Sequence, residues 1–319
     1  MSPTPLILDT DPGIDDSVAF LFAVNSPELD LRAVTTVFGN VGPELTSANA
    51  LRLLTMLGRT DVPVGIGADR PLVYPAAYRA EGWHGMDGLG GQSALLPEAT
   101  AVPDPRGAVQ LMADTLRAAE SPVTIVAIGP LTNVALLLAA YPELKPKIGR
   151  LSIMGGGLAS GNTTPAAEFN ILSDPEAARR VLVEEDVPTS LVPLDLSLRC
   201  AVDGPWLAQL AAAGGPAETL AKVVDHYRRH YLSVYGVDEV ALHDVLAVLE
   251  AARPGMLRRT ALPVEVDCGT GPGRGATFGN RLPGATGRRI DVLLEADVAE
   301  VSRFVLERLT TPLAAELSR

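Results

Sequence analysis

The chain has 319 residues, 47% hydrophobic and 20% charged, an ordinary globular composition with ample material for a core. Its formal net charge of −12 argues against a nucleic-acid or anionic-membrane partner. Two distant cysteines, Cys200 and Cys268, match neither a disulfide framework nor a zinc site, and no basic segment followed by an apolar stretch opens the chain, so a cytoplasmic protein is expected.

The apolar run Leu6-Ile7-Leu8 reads as a buried strand and leads into Asp9-Thr10-Asp11-Pro12-Gly13-Ile14-Asp15-Asp16. Pro-Gly is turn chemistry, and Val18 to Val24 continues with helical periodicity. Four carboxylates thus gather at the carboxyl end of a strand, where open α/β sheets place their ligands. Two unit charges about 4 Å apart repel by roughly 4 kcal/mol at an effective dielectric near 20. The helix dipole accounts for Asp15 and Asp16 in the first turn. It does not account for Asp9 and Asp11 on the strand side. The spacing leaves two readings open: a helix cap with solvated turn acids, or a hard divalent cation on oxygen ligands, calcium or magnesium rather than zinc.

The first helix ends near Ser26-Pro27. Leu31 to Phe38 is predicted as a second buried strand stopping at Gly39-Asn40, followed by a helix over Leu45 to Leu57 and a short strand over Val62 to Ile66. This βαβαβ opening implies a parallel sheet with right-handed crossovers. Residues 68 to 104 break the rhythm and carry Trp83-His84-Gly85-Met86-Asp87-Gly88. A loop of that length inside a compact domain marks a functional or mobile segment.

Ala108 to Ala119 is predicted helical, Val123 to Ile128 a strand, and Leu131 to Ala140 a helix after Gly129-Pro130. Leu151 to Met154 is a strand ending in Gly155-Gly156-Gly157, with a loop to Asn170 and a helix over Asp174 to Glu184. Ser190 to Val192 is a strand leading to Leu194-Asp195-Leu196, and residues 203 to 251 read as three helices with no strand between them. Val264 to Val266 and Ile290 to Leu294 look like late edge strands, and residues 298 to 309 form a closing helix. The Gly-rich stretch from Gly269 to Gly287 offers no role. No repeat or linker is visible. The expected fold is one α/β domain over 1–319. Its sheet is open, mainly parallel, flanked by helices and Rossmann-like, with an added helical segment over the carboxyl end.

Polar residues recur just past the apolar strands. Asn40 reads as a turn or cap residue or as a ligand contact. Asn162, Glu168 and Asn170 place three amide or carboxylate groups in one loop, a set that suits either a polyhydroxylated ligand or an ordinary polar surface. His243-Asp244 opens an apolar helix, where Asp complements the dipole and His is a packed or reacting group. Tyr227, Tyr231 and Tyr235 share a helical face, as a core stripe or as a stacking wall for a flat heterocycle.

Together these residues resemble the signature of the calcium-dependent nucleoside hydrolases of the inosine-uridine preferring type. The likeness begins at Asp9-Thr10-Asp11-Pro12-Gly13-Ile14-Asp15-Asp16 and continues through Thr35-Thr36-Val37-Phe38-Gly39-Asn40, Gly129-Pro130-Leu131-Thr132-Asn133, Met154-Gly155-Gly156-Gly157, Glu168-Phe169-Asn170 and His243-Asp244. It spans almost the whole chain in one order. The resemblance implies hydrolysis of ribonucleosides to ribose and free base with a calcium ion as cofactor. Asp11, Asp16, Asp244 and the carbonyl of Ile128 would bind calcium, and Asp11 would be the general base for a calcium-bound water. Asp9 would support them from behind. Asp15, Asn40 and Asn170 would hold the ribose 2′ and 3′ hydroxyls, Asn162 and Glu168 the 5′ hydroxyl, and Met154 would lie against the sugar. His84 would close over the site. Tyr227, Tyr231 and His243 would face the base, with His243 as proton donor. Family members are commonly homodimers or homotetramers.

Two other readings compete. Asp9-x-Asp11 after a strand also opens the haloacid-dehalogenase-like phosphatases, but Lys145, Lys147 and Lys222 are the only lysines and none follows a strand suitably. A non-catalytic nucleoside or sugar sensor would have little use for a base placed beside a metal.

Overall fold

The computed structural model describes residues 2–312. In chain order its regular elements are β1 (Thr4–Thr10), α1 (Ile14–Val24), β2 (Leu29–Thr36), α2 (Pro43–Met56), β3 (Val64–Ile66), α3 (Glu81–His84), α4 (Gly107–Ala118) and β4 (Val123–Ala127). There follow α5 (Thr132–Ala140), β5 (Ile148–Met154), α6 (Phe169–Ser173), α7 (Pro175–Arg179), β6 (Thr189–Val192), α8 (Leu194–Ser197), β7 (Ala201–Asp203) and α9 (Gly204–Ala212). The last are α10 (Gly215–Tyr235), β8 (Glu239–Ala241), α11 (Val245–Ala252), β9 (Leu257–Val266), β10 (Thr277–Gly279), β11 (Arg289–Ala296) and α12 (Val298–Leu309).

Nine strands form one sheet in the order β10-β9-β11-β6-β5-β4-β1-β2-β3. From β3 to β11 every neighbouring pair is parallel, and β9 then runs antiparallel to both β11 and β10. The central strands are mostly apolar because helices cover both faces. All five residues of β4 are buried. One face meets Phe20, Phe22, Leu53, Leu246 and Val301, from α1, α2, α11 and α12. The other meets Leu111, Val134, Leu138 and Ala178, from α4, α5 and α7. The chain order reverses between β1 and β4, and a ligand crevice forms at such a switch point beyond the strand ends. The acidic turn follows β1 and Ile128 follows β4. No described helix is long and apolar enough to cross a membrane.

The α/β architecture matches the sequence expectation, with three local corrections. Residues 203 to 251 do contain a strand, β8, which pairs antiparallel with β7 in a small two-stranded sheet. The predicted edge strands are not at the edge: β9 and β11 continue the main sheet, and β10, inside the Gly-rich stretch, takes the end position. The second strand starts at Leu29 and ends at Thr36, two residues before Phe38. The chain turns there so that Asn40 faces the first strand's acids.

Candidate active site

The turn after β1 is built from hydrogen bonds to its own acids. Asp16, in the first turn of α1, accepts the Gly13 backbone N–H at 2.9 Å and the Thr10 hydroxyl at 2.5 Å. The Asn40 side-chain amide donates to the Asp11 carbonyl at 3.1 Å and to Asp16 at 3.2 Å. Asp11 Oδ2 accepts the Asn40 backbone N–H at 2.7 Å, while Asp11 Oδ1 is buried without a partner among the described residues. Gly129 allows this approach: a Cβ there would lie 2.5 Å from Asp11 Oδ1. Behind, Asp9 Oδ1 accepts from Thr35 at 2.6 Å and from Asn133 at 2.8 Å. Burial nevertheless pushes the Asp9 carboxyl up to about 7.

Asp244 immediately precedes α11 and meets these acids from the far side of the sequence. Asp15, Asp16 and Asp244 are all buried and can bring carboxylate oxygens within 4.8 Å of one another. Asp11 stands outside that triad but within its field, as one of the charges that raise Asp244. Burial raises all four carboxyl groups first, and mutual repulsion raises Asp11, Asp15 and Asp244 further. Among the described residues no basic side chain is a leading cause for any of them. A buried, unpaired, all-oxygen set fits a hard divalent cation.

Above the acids lies an open cleft lined by convergent polar groups and aromatic rings, the make-up of a small-molecule site. Asn170 forms its floor, donating to the Ile128 carbonyl at 2.9 Å and the Met154 carbonyl at 3.2 Å. Glu168 caps α6 by accepting the N–H groups of Asn170 and Ile171, and it accepts the Gly156 N–H at 2.8 Å. That carboxylate therefore pins the triple-glycine loop as well as lining the cleft. Asn162 sits exposed at the rim and accepts the Phe169 N–H at 3.0 Å.

The opposite wall is aromatic. Trp83, on α3, stacks on Tyr235 with ring centroids 5.6 Å apart and meets Tyr231 and Tyr227 edge-on. His84 Nδ1 accepts the Ile14 backbone N–H at 3.1 Å, so the neutral ring carries its proton on Nε2. Burial, then the neighbouring His243, lowers His84 to about 3. Burial lowers His243 to about 4. His84, His243, Tyr227 and Tyr231 all line the cleft, as do Asp15, Asn40, Ile128, Met154, Asn162, Glu168, Asn170 and Asp244.

Trp83, Phe169 and Thr163 also line it without having been given a site role from sequence, and Tyr235 lines it as the third residue of the tyrosine face. Trp83 adjoins His84, and Tyr235 continues the tyrosine spacing, so both left a signal. Asn133 and Ser197 lie behind the cleft on Asp9 and His243; Asn133 belongs to a stretch of the family resemblance without a role assigned to it, and nothing local marks Ser197.

The family model for inosine-uridine preferring nucleoside hydrolases matches residues 6–303. The pyrimidine-specific ribonucleoside hydrolase RihA of Escherichia coli O1:K1 / APEC is 44% identical over 252 residues, which cover 78% of this chain and 80% of that protein. The structure of a plant nucleoside hydrolase superimposes with a TM-score of 0.91 at 32% identity, over 97% of this chain and all (100%) of the other. A purine-preferring ribonucleoside hydrolase from Gardnerella vaginalis gives a TM-score of 0.89 at 29% identity, over 96% of this chain and 98% of the other.

Proposed function

The chain belongs to the inosine-uridine preferring nucleoside hydrolase family and is an enzyme that hydrolyses ribonucleosides to ribose and base, and from that premise we propose which of its residues do the work. The observation that carries the reading is the knot of buried acids, without a basic partner among the described residues, beside an oxygen of Asp11 that none of them pairs. In this reading Asp11, Asp16, Asp244 and the Ile128 carbonyl would hold a calcium ion. When bound, the ion would offset the carboxylate charge and lower the pKa of a water beside the sugar.

Asp11 then takes a proton from the attacking water as general base, its free Oδ1 being the oxygen available for it. Asp9, held by Thr35 and Asn133, keeps that region of the strand end in place. Asp15, Asn40 and Asn170 fix the ribose 2′ and 3′ hydroxyls, and Asn162 and Glu168 fix the 5′ hydroxyl. Met154 supports the ring face. Cleaving the N-ribosidic bond builds positive charge on the sugar, and fixed carboxylates around it favour that state over the ground state.

The leaving base develops negative charge. Burial keeps His243 and His84 neutral, so each acts by hydrogen bonding to the base rather than by surrendering a full proton. Tyr227 and Tyr231 stack against the base. A wall of π-faces accepts one ring or two, and the curated relative is pyrimidine-specific while the Gardnerella protein prefers purines. We assign activity on both classes. The chain works as one domain in this reading, because the beginning, middle and late parts of the sequence all supply cleft residues. A homodimer or homotetramer completes it, supported by the exposed apolar side chains Leu72, Val73 and Tyr74 beyond the cleft.

The test is ribose release from a panel of purine and pyrimidine ribonucleosides, after chelation and again after calcium is restored. Release from both base classes that stops on chelation and returns with calcium is expected. Undiminished release in excess chelator would overturn the cation reading, and release from one class alone would overturn the dual assignment.

A further inference from the structure

We infer that Ser197 is a positioning residue for the reaction: its hydroxyl holds His243 in the tautomer and orientation that present Nε2–H to the departing base. The inference rests on the reading of His243 as that hydrogen-bond donor. Ser197 Oγ lies 2.8 Å from His243 Nδ1, and both side chains are buried. Ser197 closes α8, the short helix that follows β6 at the carboxyl edge of the sheet. That helix is anchored, because Asp195 on it accepts the Leu158 N–H at 2.7 Å and so ties it to the loop after β5.

The direction of the Ser197 bond follows from what else is available. The Ser197 backbone N–H is already spent on the Pro193 carbonyl at 3.1 Å. Among the described residues its hydroxyl has no hydrogen-bond partner other than His243. A hydroxyl that accepted from Nδ1–H would keep its own proton unpaired in a buried place, whereas one that donates to Nδ1 leaves no donor orphaned. Nδ1 is therefore the acceptor, and the imidazole proton sits on Nε2 at the cleft. His84 reaches the same tautomer through the Ile14 backbone N–H, which no substitution at position 14 short of proline removes. For His243 the constraint is a side chain and can be deleted with one atom.

The experiment compares the wild type, Ser197→Ala and His243→Gln, each with calcium, on uridine, inosine and 4-nitrophenyl β-riboside. The nitrophenyl group departs as a stable phenolate and needs no donor. For Ser197→Ala, kcat on both nucleosides should fall about tenfold or more, a part of what one oriented hydrogen-bond donor to a developing charge contributes. KM should stay within about twofold, and the nitrophenyl riboside should lose far less. An equal loss on all three substrates would show that Ser197 only supports the structure, and no loss on any would show that it does nothing for His243. Either result overturns the inference. If His243→Gln itself keeps full nucleoside turnover, the reading of His243 fails and the inference falls with it. A loss in His243→Gln without one in Ser197→Ala overturns the inference alone.

Discussion

Replacing Asp244 by Asn should make the chelated protein more stable and the calcium-treated protein inactive. Asp244 is buried and can share space with Asp15 and Asp16 at oxygen separations no larger than 4.8 Å. Each fully charged pair at that distance repels by about 3.5 kcal/mol at an effective dielectric near 20. Partial protonation of the cluster in the cation-free protein removes much of this, since all the groups are raised. A net relief of about 2 kcal/mol remains as the working expectation, equivalent to about 3 °C in Tm for a chain of this size. The assay is thermal unfolding in excess chelator and across a calcium titration. Wild type should gain about 2.7 kcal/mol at a calcium concentration a hundred times its Kd, and Asp244→Asn should gain much less at the same concentration. A variant that melts below wild type in chelator, or that gains as much from calcium, would refute the account of the cluster as repulsion awaiting a cation.

Three other substitutions probe separate parts of the structure. Gly129→Ala would push a methyl group to 2.5 Å from Asp11 Oδ1 and 3.0 Å from Val37, so kcat for uridine should drop about a hundredfold by displacing the base, as steady-state kinetics would show. Trp83→Ala removes the ring that ties α3 to three tyrosines of α10, and KM should rise about tenfold with a smaller change in kcat, the mark of lost uniform binding. Arg259→Met strips the fully buried Glu250 of a partner at 2.6 Å. Stability should fall by about 3 kcal/mol in denaturant titration, and Glu250→Gln added to it should recover most of that loss without altering turnover.

The parts of the fold that could be read from sequence are those whose signal is local. Leu6-Ile7-Leu8 is apolar because β1 is covered on both faces, and Pro12-Gly13 announces its turn. Val37 and Phe38 misled the strand boundary because they are buried too, in a bend rather than a ladder. The start of β9 stayed hidden because Arg258, Arg259 and Thr260 are exposed, leaving no apolar run. β7 and β8 are three residues each, and their pairing joins stretches that no local period connects. The site divides in the same way. The acids of the first turn stand together in sequence, whereas the approach of Asp244 to Asp15 and Asp16 depends on how α11 packs against α1, and only the resemblance to a family pointed to it. Ser197 acts through contact with a distant histidine, and such a contact leaves no mark in composition or spacing, whereas Trp83 stands beside His84 in sequence.

The central claim is that Asp11 is the base that activates water within the acid cluster. Single-turnover ribose release from uridine by Asp11→Ala, with calcium present and unfolding monitored in parallel, tests it most directly. The account predicts a folded protein whose turnover has fallen by at least about a thousandfold, at the upper part of the range for a general base. Release within about tenfold of wild type by that folded variant would contradict it.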